Sequence, residues 1–254
     1  MEHHIITRFN LRSSWAYDEA WFLDRLELFD KYTLPSLRRQ TNKNFTWHLL
    51  FDQKRTKPHL EKLEALNHNG IDLRFHLFGE KEEPFEELKK QIYSEGEAIL
   101  TSRVDNDDIL HPDYVAVMQK EASKKLAEGL QKPELFDFMI SYYWSPEQKT
   151  MTRRREYYPS PFSSLIEIGS PNEPLHTVYA GNHTKLHHQF SFNELPGAAA
   201  IAVVHGNNVL NGLKLHPRKL HSKWLRRMIT QLQRKPVSIS GKRLTRILAE
   251  FGVD

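Results

Sequence analysis

Three carboxylates directly follow an apolar segment in the first half of the sequence. The segment 98–104 reads AILTSRV, and Asp105, Asp107 and Asp108 come immediately after it. Residues i and i+2 of an extended chain point the same way, so Asp105 and Asp107 can turn toward one bound group. Carboxylates this close repel one another and attract a cation. Oxygen ligands favour hard divalent ions, so the pattern predicts a site for Mn²⁺, Mg²⁺ or Ca²⁺ whose remaining ligands are substrate phosphates.

The same aspartates also have a structural interpretation. Pro112 marks the start of a helical pattern that extends to about Gly129. Asp side chains commonly accept hydrogen bonds from the first turn of a helix, and Pro is common at its first position. Spacing alone therefore does not separate a metal site from a solvated turn that caps this helix.

The elements around the aspartates follow an alternating pattern. Pro84 is expected to begin a helix that Gly96 caps. From 146 to 198 the chain is rich in Pro, Ser, Asn and His, which predicts loops and small mixed strands of an acceptor-side region. Strands that alternate with helices predict an α/β fold with a mainly parallel central sheet, helices on both faces and ligands at the carboxyl ends of the strands. The predicted strands cover 3–8, 45–52, 71–78, 98–104 and 135–144.

Four segments carry a resemblance to a known family. They are TRFN at 7–10, LPSLRRQTNKNFTWHLLFD at 34–52, TSRVDNDDILHPDYV at 101–115 and VVHGNNVLN at 203–211. In this order, and over most of the chain, they resemble the bacterial family described as "putative rhamnosyltransferase". The resemblance implies the GT-A fold of nucleotide-diphospho-sugar transferases. It also implies a metal-dependent glycosyltransferase that moves a sugar such as rhamnose from a nucleoside diphosphate, for example dTDP-rhamnose, to a saccharide or glycolipid acceptor.

The resemblance assigns the metal ligands. Asp105-Asn106-Asp107 matches the DxD signature, with Asp108 beside it in the metal-binding group. Asp107 is expected to bind Mn²⁺ or Mg²⁺ directly, and Asp105 to contact the metal or the ribose. His205 follows a predicted strand, and many GT-A enzymes carry a late His that binds the same metal as neutral imidazole. Because the chain has 14 His residues, a structural role is the alternative for His205.

The resemblance also places the nucleotide at the ends of the first strands. Thr7, Arg8 and Asn10 lie at the carboxyl end of the first strand, where GT-A enzymes hold the nucleotide. Asp52 ends the second strand and is expected to accept a hydrogen bond from a pyrimidine imide. Arg103 is expected to reach the base or the phosphates. For Arg8 and Arg103, a salt bridge at a strand end is the competing interpretation.

The catalytic base is the least defined part of the predicted site. Inverting transfer needs a group that takes the proton of the acceptor hydroxyl. GT-A enzymes usually supply an Asp or Glu at the start of a helix, and no clear Glu-Asp pair occurs here. His183 is the candidate because it lies where a short strand runs into a turn, although a surface polar role is the competing interpretation. Glu167, Glu173 and Glu194 are the alternatives.

Composition excludes several other classes of protein. The 254 residues include no Cys, which removes thiolate catalysis and Cys-bound zinc or iron–sulfur clusters. The longest apolar run, from Ala198 to Val204, is far shorter than the roughly 20 residues of a membrane-spanning helix. The acidic N-terminus does not resemble a signal peptide, so we expect a cytoplasmic protein.

The C-terminal part of the sequence is basic. Between Lys214 and Arg246 there are eleven Lys or Arg residues and no acid. We expect a glycosyltransferase domain over 1–212, with a nucleotide-binding half at 1–110 and an acceptor-side half at 111–212, followed by a basic helical segment over 213–254. Within it, 221–232 has helical spacing with an apolar and a basic face. This spacing predicts either packing on the sheet or peripheral contact with the anionic inner face of a membrane.

Three other functions share some of these features. A nucleic-acid-binding protein would explain the basic segment, but no recognised motif accompanies the charge, so no nucleic-acid partner is expected. A nucleotidyltransferase that makes nucleotide sugars would usually carry a Gly-rich loop after the first strand, and TRFNLRSS contains no glycine. An interaction module with a Ca²⁺ loop would need the glycine and terminal Glu of an EF-hand, which 105–113 lacks.

Overall fold

A central β-sheet organises the computed structural model, which describes residues 1–11, 19–66, 68, 70–156, 158–205 and 237–253. Ten strands form the sheet within these ranges. The strands are β1 (Glu2–Arg8), β2 (Thr46–Asp52), β3 (Asp72–Phe78), β4 (Ala98–Arg103), β5 (Ile109–Leu110), β6 (Glu134–Ser145), β7 (Thr150–Arg155), β8 (Ser164–Ile168), β9 (Ser191–Val203) and β10 (Val237–Ile239).

Seven α-helices in the described ranges surround the sheet. They are α1 (Glu19–Leu28), α2 (Leu34–Arg38), α3 (Gln53–Thr56), α4 (Leu60–Glu64), α5 (Pro84–Ile92), α6 (Tyr114–Ala127) and α7 (Gly241–Glu250). A π-helical turn at Phe29–Thr33 joins α1 to α2, and 3₁₀ turns cover Lys57–His59 and His183–His188. None of the described helices is long and apolar enough to cross a membrane.

The first four strands form the parallel half of the sheet, in the order β4, β1, β2, β3. β1, β2 and β4 have buried residues on both faces because helices cover both sides, whereas the edge strand β3 alternates between apolar and polar residues. Ile5 and Leu49 pack in the cluster that contains side chains of α1, α2 and α6. Ile6 and Leu50 pack in the cluster on the opposite face, which contains side chains of α5. The predicted α/β class is confirmed, and parallel pairing holds in this half of the sheet.

The other half of the sheet is mixed. β8 runs antiparallel to β4 and to the start of β6, and β6 then pairs antiparallel with β7 and parallel with β9. β9 spans residues 191–203, much of which was predicted to form loops and small strands. Pro196 and Gly197 interrupt its pattern, and the register advances by one extra residue between the Phe138–Leu195 and Ile140–Ala198 pairs. Such a bulge lets one strand contain residues that normally end a strand.

Gly129 directly follows a helix, whereas Gly96 does not. α6 follows Pro112 and is succeeded by Gly129, whose φ of +86° is the left-handed conformation expected after a helix end. The expected cap at Gly96 is wrong, because α5 already ends at Ile92. Gly96, with φ +75°, instead makes the turn into β4, and its N–H donates to the carbonyl of Gly169.

The described end of the chain, residues 237–253, packs on the same sheet. β10 pairs antiparallel with β7, and α7 buries Leu244 and Ile247 against Trp144 and Met151. The last part of the predicted basic segment is therefore attached to the body of the protein. The helix predicted over 221–232 lies outside the described residues.

Candidate active site

A cavity of about 360 Å³ opens at the carboxyl ends of β1 and β4. Arg8 ends β1 and Arg103 ends β4, and Asp105 and Asp107 lie on the turn that follows. Parallel strands bring their carboxyl ends to one edge of the sheet, so residues far apart in sequence meet there. Other residues that line this cavity come from α1, from the connection after β7 and from the 3₁₀ turn before β9, and they include Trp21, Arg25, Glu156, Tyr158, Ser160, Phe162 and His183.

Asp107 is held by two cationic or potentially cationic side chains. The Nη1 group of Arg25, on α1, donates to Oδ2 of Asp107. The Nε2 atom of His205 lies 3.0 Å from the same oxygen. Arg25 and Asp107 are both buried, with 5% and 6% of their surfaces exposed. The carboxylate predicted to bind a metal therefore already has partners within the protein.

Asp105 is paired with the arginine at the end of β4. The Nη2 atom of Arg103 lies 2.9 Å from Oδ1 and 3.1 Å from Oδ2 of Asp105. The guanidinium carbon of Arg103 lies 5.2 Å from the centre of the Tyr179 ring, within cation–π range. Arg103 thus stands between a carboxylate and an aromatic ring at the edge of the cavity.

Asp108 has a different environment from its two neighbours. It is buried, does not line the cavity, and its Oδ1 accepts a hydrogen bond of 3.0 Å from the backbone N–H of Val203 on β9. Burial, together with the charges of Asp107 and Asp105, raises the pKa of Asp108 well above its ordinary value. The geometry gives Asp108 a structural role, because it ties the turn after β4 to β9.

The predicted metal ligands agree in chemistry with a divalent cation but are only partly assembled. Carboxylate oxygen and imidazole nitrogen are suitable ligands for Mn²⁺, and Asp107 and His205 bring one of each within 3.0 Å. Asp105 lines the same cavity, but Arg103 occupies its carboxylate. Within the described ranges, no group of three His, Asp or Glu side chains is arranged to hold a metal ion.

The predicted nucleotide contacts divide into two groups. Arg8 and Arg103 line the cavity, whereas Thr7, Asn10 and Asp52 do not. The buried Thr7 hydroxyl accepts a 3.0 Å hydrogen bond from the Trp47 indole. The three residues outside the cavity thus have partners within the protein.

Asn10 and Asp52 belong to one network at the ends of β1 and β2. Oδ1 of Asn10 accepts from the N–H of Asp52 at 2.9 Å, and Nδ2 of Asn10 donates to Thr56 at 3.1 Å. Asp52 caps α3 by accepting from the N–H of Arg55 at 3.1 Å. The segment after β1, which contains the cavity residues Phe9 and Leu11, is thereby tied to the end of β2.

Of the four predicted base candidates, only His183 lines the cavity. Burial, with a contribution from the charge of Arg103, lowers the pKa of His183 to about 4. Glu167 is buried on β8, where its two oxygens accept from the backbone N–H groups of His176 and Thr177 at 2.8 Å each.

Glu173 and Glu194 are surface residues. Glu173 is exposed and forms an isolated β-bridge with Ser170 across the turn that follows β8. Glu194, on β9, lies 2.5 Å from Nη2 of Arg155. Neither of these carboxylates lines the cavity.

The structure adds a cavity carboxylate that sequence reasoning missed. Glu156 directly follows β7, and its Oε1 accepts a hydrogen bond of 2.8 Å from the Tyr143 hydroxyl on β6. Burial raises the pKa of Glu156, although the Tyr143 hydrogen bond and the charge of Arg154 act in the opposite direction. No motif marks Glu156, which follows three arginines in a segment without regular periodicity.

Comparison with known proteins gives one family and several distant structures. The family described as "Putative rhamnosyl transferase" matches residues 3–214. The chain is similar to S. aureus TarS 1-349 in complex with UDP-GlcNAc, with 16% identity over 85% of this chain and 62% of that chain, and a TM-score of 0.45. It is also similar to a "putative nucleotide-diphospho-sugar transferase" from Desulfovibrio desulfuricans G20, with 12% identity over 78% and 81% of the two chains and a TM-score of 0.39.

The extent of these matches is limited. The chain spans 62% of the length of TarS 1-349. No curated protein sequence matches this chain.

Proposed function

The chain belongs to the rhamnosyl transferase family, a family of glycosyltransferases, and we propose that it moves a sugar from a nucleoside diphosphate to a saccharide or glycolipid. Rhamnose, the sugar in the family description, is the proposed donor sugar. The observation that supports the proposal is the cavity at the ends of β1 and β4, where Arg8, Arg103, Asp105 and Asp107 meet. Arginines can bind a diphosphate, and the aspartates can bind a cation that accompanies it.

We propose that Mn²⁺ or Mg²⁺ binds to Asp107 and His205, with Asp105 as a further ligand. When bound, such a cation neutralises the charge that develops on the leaving diphosphate. Arg8 and Arg103 line the same cavity and would donate to phosphate oxygens as the bond to the sugar breaks. The donor set and the shared cavity support this assignment.

For an inverting transfer, we propose Glu156 as the base that takes the proton of the acceptor hydroxyl. The acceptor oxygen then forms a bond to the anomeric carbon while the bond to the diphosphate breaks. A base works best when its pKa is near the operating pH. Burial raises the pKa of Glu156 toward that range, whereas it lowers the pKa of His183 to about 4. His183 is the alternative base in the same cavity.

The exposed basic residues of α7 favour a contact with an anionic membrane surface, which would bring the cavity to a glycolipid acceptor. Lys242, Arg243 and Arg246 are exposed, and Lys214 to Lys235 adds further basic residues in sequence. Each basic residue near such a surface contributes about 1 kcal/mol, so attachment would be weak and salt-sensitive. Sedimentation with anionic and neutral liposomes tests the contact, and equal binding to both would contradict it.

Nucleotide titration with and without Mn²⁺ tests the proposed function. We expect the protein to bind a nucleoside diphosphate or its sugar more tightly with Mn²⁺. Asp107→Asn and His205→Ala should remove the effect of Mn²⁺ while the fold is retained. Asp30→Asn, which changes an exposed carboxylate outside the cavity, is the matched control. Unchanged Mn²⁺-dependent binding in both site variants would contradict the assignment, and a nucleotide-sugar hit would identify the donor.

A further inference from the structure

Arg25 occupies the oxygen that the proposed metal would need. Its Nη1 donates to Oδ2 of Asp107, the same oxygen that lies 3.0 Å from Nε2 of His205. Arg25 is 5% exposed and lines the cavity together with Trp21, whose ring centre lies 5.2 Å from the guanidinium carbon. A buried protein cation therefore already neutralises the carboxylate that is the central proposed metal ligand.

A divalent cation and Arg25 cannot share this position without cost. Two positive charges at one carboxylate repel each other, and burial strengthens that repulsion because little water screens it. Moving Arg25 away from Asp107 also has a cost, since breaking a buried ion pair is unfavourable. A second anion within reach of the displaced guanidinium would therefore favour metal binding.

The diphosphate of a donor nucleotide is such an anion. A guanidinium presents a planar fork that binds two phosphate oxygens at once. Trp21 lies one helical turn before Arg25 on α1 and also lines the cavity. Its ring could therefore keep a cation–π contact with the guanidinium when the guanidinium moves away from Asp107. Arg8 and Arg103 line the same space, so the displaced cation would join an existing group of phosphate donors.

We infer that Arg25 competes with the divalent cation for Asp107 and, once displaced, binds the donor diphosphate, so that metal and nucleotide bind cooperatively. The inference rests on the proposed function. By thermodynamic linkage, the nucleotide and the metal raise each other's affinity for the protein by the same factor. Displacement of Arg25 from Asp107 accounts for part of this coupling.

Mn²⁺ binding, measured by EPR and calorimetry with and without a nucleoside diphosphate, tests the inference. In the wild type, we expect weak Mn²⁺ binding alone and an increase of about tenfold or more with UDP or dTDP. Arg25→Gln should bind Mn²⁺ alone at least about fivefold more tightly than the wild type and lose most of the coupling. Arg74→Gln, which opens an exposed Arg–Asp pair of 2.9 Å outside the cavity, is the matched control and should behave like the wild type.

Arg25→Lys covers the case in which Arg25→Gln does not fold. Lysine keeps a positive charge beside Asp107 but lacks the planar fork. We expect this variant to bind Mn²⁺ alone as weakly as the wild type and to bind the nucleotide more weakly at saturating Mn²⁺. If the variants that fold, Arg25→Lys alone included, keep the wild-type affinities and coupling, the inference is overturned while the proposed function stands. If the wild type binds neither Mn²⁺ nor any nucleoside diphosphate, the proposed function fails and the inference fails with it.

Discussion

A buried histidine at the start of β1 makes the folding stability depend on pH. His3 is 3% exposed, and its Nε2 lies 2.7 Å from the hydroxyl oxygen of Ser102 on β4. Burial, with a smaller contribution from His4, lowers the pKa of His3 from 6.5 to about 3. The folded protein therefore keeps this imidazole neutral at pH values where the unfolded chain takes up a proton.

The direction and size of the effect follow from this difference in pKa. Because the folded-state pKa is the lower one, the contribution of His3 is complete above pH 6.5 and is lost as the pH falls from 6.5 toward 3. A pH of 5 lies 6.5 − 5 = 1.5 units below the pKa of His3 in the unfolded chain. At about 1.36 kcal/mol per unit, the stability lost through His3 is roughly 2 kcal/mol.

Urea unfolding at pH 7 and pH 5 measures this contribution when the wild type is compared with His3→Gln. We expect the wild type to lose about 2 kcal/mol more than the variant between the two pH values. The comparison cancels the opposite effect of Asp137, whose pKa burial raises to about 7. His188→Gln, which removes an exposed histidine, should lose as much as the wild type. Equal losses in His3→Gln and the wild type would refute the reasoning.

Three further predictions concern the site and the C-terminal helix. Glu156→Gln should lower kcat by about 10²- to 10⁴-fold with donor binding retained, whereas the control Glu194→Gln should keep the wild-type kcat. A larger loss of kcat in His183→Ala would identify His183 as the base instead. Tyr143→Phe removes a hydrogen bond that lowers the pKa of Glu156, so the acid limb of the pH–rate profile should move to higher pH; an unmoved limb would contradict this. Leu244→Ala should cost about 2–5 kcal/mol in urea unfolding because α7 packs on the sheet, and a loss near zero would contradict that packing.

The parallel half of the fold was predictable because its signals are local. Apolar runs bounded by turn residues give β1 to β4, and the run over 135–144 gives most of β6; each can be recognised within ten or so residues. α6 was predictable for the same reason, since Val115, Met118 and Ala122 repeat at helical spacing between Pro112 and Gly129. Two of the predicted metal ligands, Asp105 and Asp107, line the cavity because they follow β4, a strand of the parallel half.

The rest of the site depends on packing between distant segments. Arg25 belongs to α1 and Glu156 follows β7, and no sequence spacing relates either of them to the aspartates after β4. The first half of β9 was hidden for another reason, since Pro196 and Gly197 divide the pattern of the strand, which continues only through a bulge. The second half of β9, after the bulge, was predicted as the strand that leads to His205, and it provides the backbone N–H that holds Asp108.

The three neighbouring carboxylates Asp105, Asp107 and Asp108 repel one another, and the protein relieves this repulsion differently at each of them. From sequence, their mutual repulsion indicated a metal. In the structure, Arg103 pairs with Asp105, Arg25 pairs with Asp107, and burial raises the pKa of Asp108 so that it favours the neutral form. In the proposed mechanism, a donor complex would therefore bind by exchanging the partners of Asp105 and Asp107 rather than by filling a bare anionic site. The affinity for metal alone should therefore understate the affinity in the presence of nucleotide, and the two ligands have to be titrated together.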